Sequence, residues 1–140
     1  MKLAPALSMG LALLPGMVSA GGGFYNSCKE NWHMEGNLMI TECKKANGQY
    51  MRSRQDMNLC IGNSFGTLRA ADNGGFTASC GACQQGQVPY VGGQPPTPYI
   101  ACSCKNGNGN QEAFTNLNLN DFVENRDGYI WCFGHRSAAF

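Results

Sequence analysis

Charge is scarce in this sequence and evenly divided: 14 % of its 140 residues are charged, ten Lys and Arg against nine Asp and Glu. A protein that grips nucleic acid or an anionic membrane surface carries a basic excess or a basic run. Neither occurs, which argues against a nucleic-acid partner and for one that is uncharged or recognised locally. Long unbroken apolar runs are missing too. The longest, residues 3–18, is interrupted by Pro5, Gly10, Pro15 and Gly16, whereas a membrane-spanning helix needs about 20 predominantly apolar residues. Preceded by Lys2 and followed by Val18-Ser19-Ala20 and three glycines, that run predicts a signal peptide over residues 1–20, cleaved after Ala20. The expectation is a secreted, extracellular protein with no membrane insertion. Without Lys2, nine Lys and Arg balance nine Asp and Glu, and the remaining chain has room for one ordinary domain or two very small ones.

Catalytic signatures are also lacking. No Ser, His and Asp set has recognisable spacing, and no phosphate-cradling glycine loop leads into a helix. Glycoside hydrolysis needs two opposed carboxyl groups about 5 to 9.5 Å apart, but Asp121, Glu124 and Asp127 are clustered around one turn and face one side of a sugar. No enzyme is expected.

Cysteine, by contrast, is plentiful. The eight at positions 28, 43, 60, 80, 83, 102, 104 and 132 make an even set in a small secreted chain and argue for four disulfides. Cys80-Gly81-Ala82-Cys83 has redox spacing but lacks the βαβ context of a redox motif. Cys102 and Cys104 with His33 or His135 form a zinc set only on paper, because secretion favours disulfides. Neither metal nor cofactor is expected.

The chain contains two copies of one unit. Phe24-Tyr25-Asn26-Ser27-Cys28 recurs as Phe76-Thr77-Ala78-Ser79-Cys80, and Cys43-Lys44-Lys45-Ala46-Asn47-Gly48 recurs as Cys104-Lys105-Asn106-Gly107-Asn108-Gly109. Asn58, Asn63 and Gly66 recur as Asn120, Asn125 and Gly128. Most of the difference is one insertion, residues 84–98, whose Gly and Pro content predicts an exposed loop. Asn37 precedes an alternating run over residues 38–43, and Asn47-Gly48 is a strong hairpin signal. Only residues 58–62 and 120–125 suggest a helical turn, which Asn or Asp could cap. These signals predict an all-β protein of two similar modules, with repeat one over about 24–74, repeat two over about 75–132, the domain spanning 21–134, and a tail, 135–140, of no evident role.

Duplication narrows the disulfides. Cys28 with Cys43 and Cys80 with Cys104 would staple the first hairpin of each unit, each closing a loop worth about 3 kcal/mol. Elimination leaves Cys83 with Cys102 across the second hairpin and Cys60 with Cys132 between units. Trp32 and Trp131 read as packing residues, since small β domains need large apolar side chains.

Taken together, these motifs resemble the cyanovirin-N homology domains, tandem-repeat lectins frequent in filamentous fungi. The resemblance covers about residues 23–132. It rests on Phe24-x-x-x-Cys28 with Glu42-Cys43, on Asp56-x-Asn58-Leu59-x-Ile61-x-Asn63 with Gly66-x-Leu68, and on Leu119-Asn120-Asp121-x-Val123-x-Asn125-x-Asp127-Gly128. Secreted fungal members are particularly similar, their extra cysteines fitting Cys60, Cys83, Cys102 and Cys132. The resemblance implies an elongated β-barrel or sandwich of two pseudo-symmetric modules, each built from strands of both repeats. It also implies metal-free binding of oligosaccharides or glycoproteins, mannose-rich ones typically, by a monomer or by a homodimer exchanging strands near residues 69–74.

Carried over by position, one carbohydrate site would comprise Gly23, Asn26, Ser27, Lys44, Asn47, Asn125 and Asp127. Adjacent sugar hydroxyls both donate and accept, which suits amides and carboxylates held by turns. A weaker second site would comprise Asn63, Ser64, Ser79, Lys105, Asn106 and Asn108. There Phe65 stands in place of the turn carboxylate, Gly62 in place of an acidic residue, and Ala78 where a polar residue is frequent. Tyr90 of the insertion and Tyr99 directly after it could add stacking surfaces or cover an edge. The alternative reading is a secreted disulfide-rich module that keeps the fold but binds a protein partner instead.

Overall fold

The structure is a computed structural model that describes residues 22–88 and 97–140; the expected signal peptide and the middle of the insertion, with Tyr90, lie outside the described residues. The architecture is all-β. A three-residue 3-10 turn, Phe24–Asn26, leads into β1 (His33–Glu35), β2 (Leu38–Lys44) and β3 (Tyr50–Asp56). A second turn, Met57–Leu59, precedes the hairpin β4 (Ile61–Ser64) and β5 (Thr67–Ala70). The plan then repeats: turn Phe76–Ala78, strands β6 (Cys80–Val88), β7 (Thr97–Lys105) and β8 (Gln111–Asn118), turn Leu119–Asp121, and hairpin β9 (Glu124–Arg126) and β10 (Tyr129–Cys132). Two short strands, β11 (His135–Arg136) and β12 (Ala138–Ala139), finish the chain. The sheets run in the orders β12-β3-β2-β1, β4-β5, β6-β7-β8 and β9-β10-β11 and do not close into one barrel.

Local sequence explains the strands. β3 alternates: Ser53 and Gln55 are buried, Tyr50, Arg52 and Arg54 exposed. The β2–β3 hairpin turns at Asn47-Gly48, where Asn47 Oδ1 accepts from the Gln49 amide (3.0 Å). The helical turns are capped two residues earlier than Asn58 and Asn120, by Asp56 and Asn118. This frees the two asparagines to reach across the molecule. Asn58 accepts from the Thr77 amide (3.0 Å) and Asn120 from the Tyr25 amide (2.9 Å). Beside them the Gly75 amide donates to the Asn58 carbonyl (2.8 Å) and the Gly23 amide to the Asn120 carbonyl (2.7 Å). The end of each repeat therefore clasps the start of the other.

Packing follows the same exchange: β5 lies on β8, and β10 lies on β3. One buried cluster serves both repeats, with Phe24 and Phe76, Met57 and Leu119, Ile61 and Val123, and Leu68 and Ile130 in matched places. Disulfides join Cys28 to Cys43, Cys80 to Cys104, Cys83 to Cys102 and Cys60 to Cys132. The third sits at a bulge, where the β6–β7 register shifts between Gly81 and Gln84.

Three features depart from the sequence-based expectations. Part of the supposed loop at 84–98 is strand: residues 84–88 pair with 97–101. Their glutamines supply the bonds that make this polar stretch regular, since Gln85 Oε1 accepts from the Met34 amide (2.5 Å), Gln85 Nε2 donates to the Trp32 carbonyl (3.2 Å) and Gln87 Nε2 to the Glu30 carbonyl (3.4 Å). Tyr99 is only partly exposed, its ring lying over Gly86, where a Cβ would come within 2.8 Å of the hydroxyl. Residues 135–140 are not a loose tail: β11 pairs with β10, β12 pairs with β3, and Ser137, buried, bonds Ser53 Oγ (2.8 Å) and accepts from the Ile130 amide (3.0 Å). Finally, Trp32 is core, but Trp131 is only partly buried and faces outward beneath the Arg126 guanidinium (4.7 Å), because Ile130 and Cys132 take the inward positions.

Candidate functional site

The exchange of halves creates two loop constellations, one at each end. At the first, the start of repeat one (22–27), the β2–β3 turn (44–49) and the β9–β10 turn (125–128) converge. Asn125 joins them: its Nδ2 donates to Ser27 Oγ (2.9 Å) and to the Lys44 carbonyl (2.9 Å), and its Oδ1 accepts from the Gly128 amide (2.8 Å). Both amide hydrogens are spent within the protein, so Asn125 positions the loops. The β9–β10 loop has two residues, Asp127 at φ 53° and Gly128 at φ 92°, the left-handed pair that a tight hairpin requires. Space is tight at Gly128 as well: a Cβ there would lie 2.9 Å from Lys45 Cγ, so a larger residue would require Lys45 to shift. Asp127, at the exposed tip, accepts from the Ala46 amide through Oδ1 (2.8 Å). Asn26, Lys44 and Asn47, on the two other loops of this end, are exposed as Asp127 is. Gly23, φ 79°, starts the 3-10 turn that places Asn26 and Ser27.

The second end repeats the stitch. Asn63 Nδ2 donates to Ser79 Oγ (2.9 Å) and to the Lys105 carbonyl (2.9 Å), and Oδ1 accepts from the Gly66 amide (2.8 Å). The turn pair is now Phe65 at φ 51° and Gly66 at φ 99°. Around it opens a depression of about 490 Å³ whose walls include Ser64, Phe65, Ser79, Lys105 and Asn106. Asn106 Oδ1 accepts from the amides of Asn108 (2.9 Å) and Asn110 (3.1 Å), and so shapes the far loop. Five of the six sequence-expected residues of this end, Asn63, Ser64, Ser79, Lys105 and Asn106, therefore line one depression with Phe65 among them, and Asn108 is joined to it only through Asn106.

Beside the first end, Tyr50 is exposed with the Lys29 ammonium 4.8 Å and the Lys44 ammonium 6.0 Å from its ring centre. Sequence reasoning missed this cluster; the alternation of β3, which turns Tyr50 outward, is the signal that could have found it. Nearby, the Asn31 amide and then the Lys29 ammonium hold the Glu42 carboxyl below its usual range. The carboxylates Asp121, Glu124 and Asp127 have separate partners: Asn118 (3.3 Å), Arg126 (2.9 and 3.0 Å) and the Ala46 amide. His33 lies against Glu35 (2.9 Å) and His135 against Asp72 (2.8 Å).

Two interlocked repeats and four disulfides define a tandem-repeat β domain with a stitched, pseudo-equivalent three-loop constellation at either end. The chain belongs to the CVNH domain family, whose profile matches residues 24–131. No curated protein sequence matches it significantly. Among solved structures it is similar to the CVNH protein of Gibberella zeae (22 % identity, 79 % of this chain and 97 % of that one, TM-score 0.66). It is similar to microvirin, solved in a complex with mannobiose (20 % identity, 79 % and 98 %, TM-score 0.64), and to a MoCVNH3 variant in complex with (N-GlcNAc)4 (15 %, 79 % and 97 %, TM-score 0.65). At these identities the likeness is one of fold.

Proposed function

We propose that this protein is a secreted lectin that binds oligosaccharides non-covalently, mannose-rich ones at the first end, with neither metal nor catalysis. The observation that carries the reading is the turn carboxylate of Asp127, fixed by the Ala46 amide at the meeting of three loops. A charged acceptor held in place makes strong hydrogen bonds to a pair of sugar hydroxyls. Membership of the CVNH family and neighbours solved with mannobiose and (N-GlcNAc)4 support it. Gly23, Asn26, Ser27, Lys44, Asn47 and Asn125 complete the proposed first site, Asn125 and Ser27 by holding the loops and the others by lining it.

The chain acts as a monomer or as a homodimer exchanging strands through residues 69–74. The monomer is favoured by the bonds that hold this connection, from the Ala71 amide to the Cys60 carbonyl (2.9 Å) and from the Asn73 amide to the Leu59 carbonyl (2.8 Å). Two sites on one particle raise avidity by about 10² to 10⁴ where glycan spacing allows both to engage.

A glycan array probed with the mature protein, with Asp127→Ala and with a chelator present tests this. Glycan binding that is lost in the variant and kept with the chelator is the expected result. Release of reducing sugar would point to an enzyme. Absence of any glycan signal sinks the lectin reading and leaves a protein-binding module. That second reading draws on the outward face of β9–β10–β11, where Arg126 covers Trp131 (4.7 Å) and Arg136 covers Tyr129 (4.4 Å), residue types enriched in protein interfaces.

A further inference from the structure

We propose that Phe65 makes the second end a stacking site for β-linked hexopyranosides whose hydroxyls are all equatorial, the glucose and N-acetylglucosamine series, so that the two ends of one molecule select different sugars. The proposal rests on the lectin reading above.

Phe65 is 81 % exposed, the most exposed of the large apolar side chains among the described residues. Its backbone is left-handed, φ 51°, a conformation that glycine, asparagine and aspartate adopt readily and a bulky residue does not. Phe133 holds the same place in the β10–β11 turn at the same φ, but its ring meets Phe122 at 6.2 Å. Among the described residues no such ring partner faces Phe65. The turn that carries the ring is nevertheless held. Asn63 fixes the hairpin to Ser79 and Lys105 by two 2.9 Å bonds, and one edge of the ring rests on Gly107, where a Cβ would stand 3.1 Å from Phe65 Cδ1. The opposite turn thus lacks a side chain where the ring needs room. The result is an exposed aromatic wall, carried on a held turn, beside a depression of about 490 Å³, within the range of small-molecule sites, about 300–1,000 Å³. The hydroxyls of Ser64 and Ser79 stand on its border.

An aromatic face carries negative charge density and attracts the weakly positive C–H bonds of a sugar ring, provided that no oxygen projects from the stacked face. A β-glucoside or β-N-acetylglucosaminide directs every ring oxygen substituent sideways and offers axial C–H bonds on both faces. An α-mannoside carries an axial oxygen on each face, the anomeric one on one side and that of carbon two on the other. Phe65 therefore accepts the first class and rejects the second, whereas the Asp127 end binds through hydroxyls and has no such filter.

Chemical-shift titration of the folded protein with cellotetraose, chitotetraose and mannobiose tests this, on the parent, Phe65→Ala and Phe65→Trp. Cellotetraose and chitotetraose should move the amides of Ser64, Gly66 and Gly107. Phe65→Ala should weaken that response about tenfold, the scale of one aromatic stacking contact, and Phe65→Trp should retain it. Mannobiose should move only Ala46 and Gly128, equally in all three proteins, which also reports that each is folded. Tighter binding of chitotetraose would assign the acetamido series, and equal binding the ring face alone. Unweakened binding in Phe65→Ala, or mannobiose binding at Ser64 and Gly107, overturns the proposal. So does a first-end response to mannobiose with no second-end response to either equatorial oligomer, and the lectin reading then stands. Silence at both ends with all three sugars overturns both.

Discussion

At the two ends of the molecule an asparagine sews three loops together with the same three bonds, all of 2.8 to 2.9 Å. Two residues further on, the chain places a carboxylate at one end and a benzyl group at the other, each in a left-handed turn. The duplication has kept what positions the loops and changed what the loops present. Asn63 and Asn125 belong to the common frame, and Asp127 and Phe65 are where the ends part company.

The frame is tested hardest by its one covalent tie between repeats. Replacing Cys60 and Cys132 by serine opens a loop of 72 residues and should cost about 4 kcal/mol in denaturant unfolding, against about 3 kcal/mol for Cys83 and Cys102, which lie within the second half alone. The reverse order would show that the halves do not depend on each other for folding. Next come the two stitches. Asn63→Ala and Asn125→Ala each remove three hydrogen bonds and leave their partners to water, and each should lower stability by about 2–3 kcal/mol. Unequal losses, compared by denaturant midpoint, would break the pseudo-symmetry.

The turn residues should answer in opposite directions. Phe65→Asp relieves a strained bulky residue and lets a carboxylate reach the Gly107 amide as Asp127 reaches Ala46. It should stabilise by about 1 kcal/mol, raising Tm by about 4 °C, and Asp127→Phe should lower it. The smallest effect distinguishes the halves by acid. Glu42 has a depressed carboxyl, while its counterpart Ser103 has no charge. A depressed carboxyl contributes stability above its unfolded pKa and loses it as pH falls through its folded value. Thermal melts should therefore show a slightly steeper acid loss in the parent than in Glu42→Gln, confined to pH values at and below the ordinary glutamate range.

Much of the frame was legible because duplication exposes it: Phe24 and Phe76, the hairpin staples and the Asn and Gly turn positions recur in order. What escaped sequence reasoning depends on partners far along the chain. Asn125 meets Ser27 across 98 positions, so its amide reads as an open sugar ligand until the fold shows both hydrogens spent. Gln85 finds Met34 and Trp32 in the other repeat, and without them a Gln-, Gly- and Pro-rich stretch reads as loop. Ser137-Ala138-Ala139 has neither bulk nor alternation, and only the waiting edge of β3 makes it a strand. Trp131 was misread although its signal was present: Tyr129 to Cys132 alternate, and burying Ile130 and Cys132 sends the tryptophan outward.

A sheet with an unpaired border is a template on which another chain can grow. In the four-stranded sheet here both flanks of the β3-β2-β1 ladder are partly covered: β12 lies along β3 at Arg54 and Ser53, and on the other side Gln85 takes up the Met34 amide and the Trp32 carbonyl. Removing residues 135–140 would bare the β3 edge at Ser53 and Arg54, and light scattering at high protein concentration should then show more self-association than in the parent.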